Sequence, residues 1–523
     1  MINNKKQFQI FLSCLFFLTV IKLFFFIDFE PRTDQAHQIG WMHKIINSEH
    51  FLGKDVFKNI SSFFEDYKGF VFEVIKPAFF YGNLHANYFH LFPTLLISLI
   101  SKILDISEIN VFNFLSVFST FLSFYFLIKI IQKIYSKEIE KNYLFFIFIF
   151  VNVVFFNWYS FLFSPLGIHN ISSMVILFNF YFYNNYKKVN FFYYGILFSL
   201  SSLFHQINLI ILSIFYLLII VESQNRLKNL INFSIPVIIS FLPLFIIIIL
   251  NLDNYNNLYL NNSTENLNLL NKVFENFIFF IQKNLIFFPL LFIIFIFLLL
   301  NRSNNKFEKK IKIIFFLLLL FSIFTNEFFK ASYQRVSIYL FYFYIFLFFK
   351  FLFTYIDKKN FKKIFSVIII INLFYNIFLI YDNFYKISSK SEFYSYYNNQ
   401  GNINKAFKEL YQKNDFKNIV FLNNLSEDYY NIYNDDKKKS ILKKPLHNIV
   451  TKNEFDYLKE KIFAKDIYIV SFVDNDVLLN KTVNILQNNS IFKCSSVKNV
   501  HLNKVFRNSD ESFYKLIVDK LSC

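Results

Sequence analysis

Long apolar runs separated by short polar connections dominate the chain, and this rhythm changes twice. The first run, Ile10 to Ile27, follows Lys5 and Lys6. It is close to the ~20 residues that a bilayer-crossing helix needs. A polar segment then fills positions 28–107. Apolar runs resume at 108–132, 143–163, 169–184, 191–205, 206–221, 232–250, 277–300, 312–329, 336–356 and 362–381. The pattern predicts a mainly α-helical protein whose positions 1–384 form a multi-span transmembrane bundle.

The connections test that count. With the N-terminus in the cytoplasm, the segments KIIQKIYSKEIEKN, NNYKK, ESQNRLKN, NRSNNKFEKKIK and IDKKNFKK fall inside, and each carries at least two Lys or Arg. On the other side SPLGIH carries none, NEFFKASYQR two, and 251–276 only Lys272. This asymmetry follows the positive-inside rule. It closes only if the short stretch from His90 to Leu104, with Pro93 in its first turns, lies in the membrane interface instead of crossing. Eleven spans with an outside C-terminus result. The pair 191–205 and 206–221 leaves each member short of a full crossing. With His205, Gln206 and Asn208 at its tip, it reads as a hairpin that stops partway, its polar end in a protein cavity.

From about Tyr381 the chain alternates Lys/Asn-rich segments with short apolar runs: NIVFL at 418–422, DIYIVSF at 466–472 and IFKCSSV at 491–497. Helix-like stretches such as 476–488 separate them. Buried strands alternating with helices predict a small C-terminal α/β domain over 385–523, extracytoplasmic on this topology. It holds no Gly-rich phosphate loop. Cys494 and Cys523 both fall in it, where an oxidising compartment permits a disulfide, while Cys14 sits in the first span.

Composition agrees with the membrane reading. Hydrophobic residues make up 55% of 523 positions, with 81 Phe beside 7 Gly and 8 Pro, more apolar side chain than one soluble core can cover. The formal net charge of +18 would suggest nucleic acid in a soluble protein. Here the cytoplasmic loops account for it, and no nucleic-acid partner is expected.

Polar chemistry concentrates in the 28–107 segment, the first outside loop. After Pro31 and Arg32, Thr33 or Asp34 can cap a helix of about four turns in which Asp34, His37, Gln38 and Trp41 share a face, beside an apolar stripe of Ile39, Met42 and Ile46. This is an amphipathic interfacial helix presenting a carboxylate and an imidazole. The plainer alternative is that Asp34 only caps and His37 is solvated. His85 and His90 flank the second interfacial helix. Glu65 and Asp66 form an acidic pair that could hold a divalent cation but also suits a solvated turn.

One span, then PRTDQAHQIGWMHKIINSEHFLG, then an interfacial helix ending in ISKILDIS resembles the polytopic GT-C glycosyltransferase superfamily, in the branch of protein mannosyltransferases and aminoarabinose transferases. The likeness rests on the order of elements over roughly residues 1–220. It implies a sugar donor carried on polyprenyl phosphate, an envelope glycan or lipid acceptor on the outer face of a bacterial inner membrane, and a catalytic acid at Asp34. The family's adjacent acidic pair is absent, since Gln35 follows Asp34, and SPLGIHNIS lacks a second acidic pattern. A metal-independent mechanism is therefore favoured, with a divalent cation at Glu65–Asp66 as the alternative.

Transfer from a lipid phosphate needs a base for the acceptor hydroxyl and cations for the departing phosphate. Asp34 suits the first role, with His37 beside it. Arg335 in KASYQRVSIY suits the second, because a guanidinium grips two phosphate oxygens at once. Lys330 and Arg32 are the further phosphate candidates, and an interfacial anchor is the ordinary alternative for Arg335. His169 and His205 would face the same outer cavity, or serve as hydrogen-bonded structural histidines. Two other classes compete: a lipid-linked glycan flippase or transporter, and a polysaccharide polymerase or ligase. The first expects charges near the bilayer midplane, whereas Lys22, Lys129, Glu222, Glu327 and Lys350 fall toward span ends. The second normally places its large outside loop late in the chain.

Overall fold

The computed structural model of the protein describes residues 84–150, 168–250 except 187–188, 269–299, 306–324 and 333–389 except 359. It also describes 419–421, 467–473, 496–507 and 513–522, with positions 9, 12–20, 23, 39, 42 and 152. The chain divides into two units. One comprises Met1–Phe26, Tyr88–Pro93 and Asn113–Ile380; the other comprises Ile27–Asn87, Thr94–Phe112 and Tyr381–Cys523.

The described helices are α1 (Leu84–Leu104), α2 (Glu108–Ile134), α3 (Ser136–Lys141), α4 (Tyr143–Phe150), α5 (Ile168–Asn185), α6 (Phe191–Ser202), α7 (Gln206–Glu222), α8 (Arg226–Leu250), α9 (Leu269–Phe287), α10 (Pro289–Leu299), α11 (Lys306–Phe324), α12 (Tyr333–Tyr355) and α13 (Phe361–Ser389). The protein is mainly helical. Two departures from the sequence reading have local causes. Helix α1 runs 21 residues from Leu84, longer than the stretch starting at His90, because the polar turn LHANYF joins it. The run at 277–300 is two helices, since Pro289 lacks the N–H needed to continue α9.

Among the described residues two helices are long and apolar enough to cross a membrane, Glu108–Ile134 and Phe361–Leu379. Fewer pass than the eleven spans that the loop charges predict. Helix α6, at 12 residues, is only about 18 Å long. Helix α11 opens with KFEKKIK, and α10 begins afresh at Pro289.

The first unit exposes long rows of apolar side chains in addition to burying an apolar core. Helix α13 exposes Ile364, Val367, Ile371, Phe374 and Phe378, and α8 exposes Ile231, Ile235, Ile238, Leu242 and Phe245, each set at helical spacing. Small polar side chains are buried alongside that core: Asn113, Ser116, Thr120 and Ser123 on α2, and Asn170, Ser172, Ser173 and Asn179 on α5. An apolar solvent outside makes this arrangement favourable, because small residues let helices approach and hydroxyls find partners only within protein. Thr120 and Ser123 return their hydrogen bonds to the carbonyls of Ser116 and Ser119.

Helix α12 lies at the centre of this unit, with every residue from Phe341 to Phe349 buried. Phe346 meets Phe307 of α11 and Phe349 meets Phe146 of α4, with ring centres 5.8 and 4.9 Å apart. Tyr344 donates to Asn284 Oδ1 of α9 at 2.7 Å. Where α11 starts and α7 ends, Lys310 pairs with Glu222. Lys350 of α12 pairs with Glu308, which Lys312 also approaches at 3.7 Å. Glu308 and Lys310 are both buried, so these pairs clamp three helices together at one end.

Helices α6 and α7 are antiparallel. Tyr194 packs on Tyr216 at 5.7 Å, and Asn208 Nδ2 donates to the Ser201 carbonyl at 2.9 Å. Leu203, Phe204 and His205 make the turn between them.

Among the described residues the second unit contains a four-stranded mixed sheet in the order β1 (Ile419–Phe421), β2 (Ile467–Val473), β4 (Phe513–Ser522), β3 (Ser496–Arg507). Strands β1 and β2 are parallel; β4 is antiparallel to both β2 and β3. Register places Val470 opposite Val518 and Phe472 opposite Leu516. The stretches at 418–422 and 466–472 coincide with β1 and β2. The third expected strand, 491–497, meets the described sheet only at Ser496 and Val497, and the β3–β4 pair is an antiparallel addition that the reading did not include. The helix expected at 476–488 and both Cys494 and Cys523 lie outside the described residues.

A histidine–tyrosine cluster where three helices begin

Three helices bring the candidate site together. Helix α5 starts at Ile168 after Pro165 and Gly167, which places His169 in its first turn. His205 holds the N-cap position of α7, with extended backbone, and its Nδ1 accepts the Ile207 N–H at 3.1 Å. Imidazole thus replaces the usual Ser or Asp side chain in satisfying an orphan amide of the helix start. Tyr339 lies in the second turn of α12. The imidazoles of His169 and His205 meet edge to face with centres 4.7 Å apart, and the Tyr339 hydroxyl stands 3.4 Å from His169 Nδ1. His205 is 5% and Tyr339 3% exposed, while His169 is half-buried.

From this cluster a polar chain runs inward. Tyr339 donates to Ser172 Oγ at 2.7 Å, Ser172 donates to Asn208 Oδ1, and Asn208 Nδ2 donates to the Ser201 carbonyl. Asn179 Nδ2 reaches Ser201 Oγ at 2.8 Å, and the Tyr216 hydroxyl closes on Asn179 Oδ1 at 2.7 Å. Ser172, Asn179, Asn208 and Tyr216 are completely buried. His169 and Asn179 are ten residues apart on α5, so the chain reaches about 15 Å below the cluster. Satisfied networks of this kind rigidify a core and fix one arrangement. The tip of the α6–α7 hairpin is held against α5 by it.

The dipoles of α5 and α7 direct their positive ends at the cluster, and this favours negative charge there. A small apolar cavity lies alongside, lined by Ser173, Leu177, Tyr339, Tyr342 and neighbouring isoleucine, leucine and phenylalanine side chains.

The sequence candidates divide accordingly. The structure brings His169 and His205 together. Arg335 occupies the third position of α12, one turn before Tyr339; His85 and His90 fall within the first two turns of α1. The side chains of these three are not among those described. Asp34, His37, Arg32, Lys330, Glu65 and Asp66 lie outside the described residues. No group of three or more His, Cys, Asp or Glu gathers among the described residues. Tyr339, Ser172 and Asn179 were not among the candidates. Asn179, alone in VILFNFYF, carries the one local signal: an amide in an apolar helix must find a partner. Set against family models, curated proteins and solved structures, the chain matches none.

Proposed function

We propose that the protein is a GT-C-type glycosyltransferase of the bacterial inner membrane, moving a sugar from a polyprenyl-phosphate donor to a cell-envelope glycan or lipid acceptor. Eleven spans carry it, with the N-terminus in the cytoplasm, the first loop and the C-terminal α/β domain outside, and that domain helping to recognise the acceptor. The observation that carries the reading is the meeting of His169, His205 and Tyr339 where α5 and α7 begin. Helix starts favour a phosphate, imidazoles and a phenol suit a sugar, and the remainder of this unit presents apolar faces to a polyprenyl chain. Arg335, one turn from Tyr339, grips the phosphate, with Lys330 and Arg32 as further cations. Asp34 deprotonates the acceptor hydroxyl.

Ion pairing supports an enzyme over an ion-coupled carrier. The pairs Glu222–Lys310 and Glu308–Lys350, with Lys312 also beside Glu308, sit at the helix ends opposite the histidines, where each carboxylate is held by a lysine. Transfer of radiolabelled sugar from a panel of polyprenyl-phosphate donors, in membranes with and without the protein, tests the proposal. A donor-dependent labelled product is expected. Its absence across the panel would favour a lipid-linked glycan flippase.

A further inference from the structure

The helix ends opposite the histidines gather at one end of the first unit. Lys133 of α2 donates to the Asn184 carbonyl and to Asn185 Oδ1 of α5 at 2.7 and 2.8 Å, and Lys362 of α13 donates to Asn142 Oδ1 between α3 and α4. Asn229 Nδ2 of α8 donates to Ser223 Oγ, just past the end of α7, at 2.9 Å. With the Glu222–Lys310 and Glu308–Lys350 pairs, these contacts bring the starts of α8, α11 and α13 level with the ends of α2, α5 and α7. All three of the starting helices open on exposed cations: Arg226 and Lys228 on α8, Lys306 and Lys309 on α11, Lys362 and Lys363 on α13. A helix start already carries the positive end of the macrodipole, so cations there weaken the helix. The acids nearby do not offset them. Glu222 and Glu308 are held by lysines, and the two glutamates of α3, SKEIEK, are matched by its two lysines. Asp357, in the turn before α13, has Lys358 beside it in the chain.

Exposed apolar side chains adjoin these cations. Leu227 stands between Arg226 and Lys228 and is 73% exposed; Ile364 follows Lys363 and is 61% exposed. From them the outward rows of α8 and α13 continue away from the charged end. We infer that this end binds anionic phospholipid, its headgroups against the cations of α8 and α13 and its acyl chains along the apolar rows of the same two helices. Charge set directly over hydrocarbon matches a phospholipid. A soluble polyanion such as RNA would neutralise the cations but leave Leu227 and Ile364 in water. Recognition is by the summed field of the cations, so Lys362 contributes although its ammonium also serves Asn142. Membrane orientation uses such charge as well, but only during insertion, whereas lipid binding persists in the folded protein. The inference rests on the membrane-embedded reading of this unit and is independent of the transferase chemistry.

The test places the full chain in nanodiscs made of equal amounts of phosphatidylglycerol and phosphatidylcholine with the same acyl chains, and native mass spectrometry counts the lipids retained on the protein. Both lipids carry a phosphate, and only phosphatidylglycerol has a net charge. One Lys or Arg near an anionic surface is worth roughly fivefold in affinity. Phosphatidylglycerol is therefore expected to exceed phosphatidylcholine at least about fivefold among the retained lipids, and the excess to shrink as salt is raised before release. Arg226→Gln/Lys228→Gln/Lys362→Gln/Lys363→Gln is expected to bring the ratio toward one, while Arg226→Lys/Lys228→Arg/Lys362→Arg/Lys363→Arg preserves it. Should the fourfold glutamine variant not fold, Lys228→Gln/Lys363→Gln leaves the Lys362–Asn142 bond in place and lowers the ratio part of the way. Equal retention of the two lipids by the unaltered protein, or an excess that the glutamine variants leave untouched, would overturn the inference and assign the cations to orientation alone. Release of the chain from cell membranes by alkaline carbonate would overturn the membrane reading, and this inference with it.

Discussion

Gly195 lies against the backbone of Phe233: a Cβ on it would stand 2.4 Å from the Phe233 carbonyl oxygen and 2.5 Å from Pro236 Cγ. Helices α6 and α8 approach this closely only because position 195 carries no side chain. Alanine favours a helix over glycine by about 1 kcal/mol. Overpacking costs about 1–3 kcal/mol, and here the opposing atom belongs to a backbone that cannot rotate away. Gly195→Ala is therefore expected to lower the thermal midpoint of the purified protein, whereas Leu200→Ala at an exposed position of the same helix lowers it less. An unchanged midpoint for Gly195→Ala would show that α8 shifts freely.

Glu308→Gln leaves Lys350 and Lys312 facing a neutral amide inside the protein. Removing one partner of a buried pair costs about 3–5 kcal/mol, more than the pair itself contributes, because a charge is stranded. The double variant Glu308→Gln/Lys350→Met removes both charges and should recover part of the loss. A thermal-stability double-mutant cycle reads the coupling, and additive single losses would mean that the two side chains act independently.

Topology is read by a reporter active only outside the cytoplasm. Fusions after Ser61, Ser263 and Ser440 are expected to be active, and those after Lys137, Asn304 and Lys359 silent. An active fusion at Lys137 would mean that the 21-residue α1 crosses the membrane, which inverts everything after it.

Asp34→Asn keeps size and capping ability and removes the basic carboxylate. Sugar transfer should fall a hundredfold or more, in line with the roughly 10²–10⁴ typical of a general base, with insertion and thermal midpoint unchanged. Near-normal turnover would assign Asp34 to helix capping and move the search to His37, Glu65 and Asp66.

At Arg335 the lysine variant keeps the charge and loses the fork, so donor binding is expected to weaken in the order wild type, Arg335→Lys, Arg335→Ala. A lost charge-assisted contact is worth about 1.5–3 kcal/mol, roughly ten- to a hundredfold. The comparison is made by titrating polyprenyl-phosphate donor against free sugar. Equal donor affinity in all three would make Arg335 an interfacial anchor.

Most of the described helices were legible because an apolar run needs no partner to declare itself, and the turn at His205 was legible from the polar residues interrupting one. Strand β4 was not, since Lys515, Asp519 and Lys520 break its apolar pattern although it pairs on both sides. Strand β3 was displaced for the same reason, its HLNKVFR end being polar. For the site, His169 and His205 stood out as rare residues. Tyr339 could not, being one of 33 tyrosines and 170 positions from His169, a separation that only folding closes. The Glu308–Lys350 pair is hidden likewise among 54 Lys and Arg.

The sheet is threaded out of order, with β4 between β2 and β3 though it follows both in the chain. Among the described residues, β2 therefore leaves the ribosome with β1 alone to pair against, and β3 emerges before the strand it pairs with. Assembly must wait for Phe513–Ser522. Until those ten residues arrive, two strands stand with open edges, so any fault that stops translation before them yields a nascent chain that quality-control proteases can recognise as unfinished.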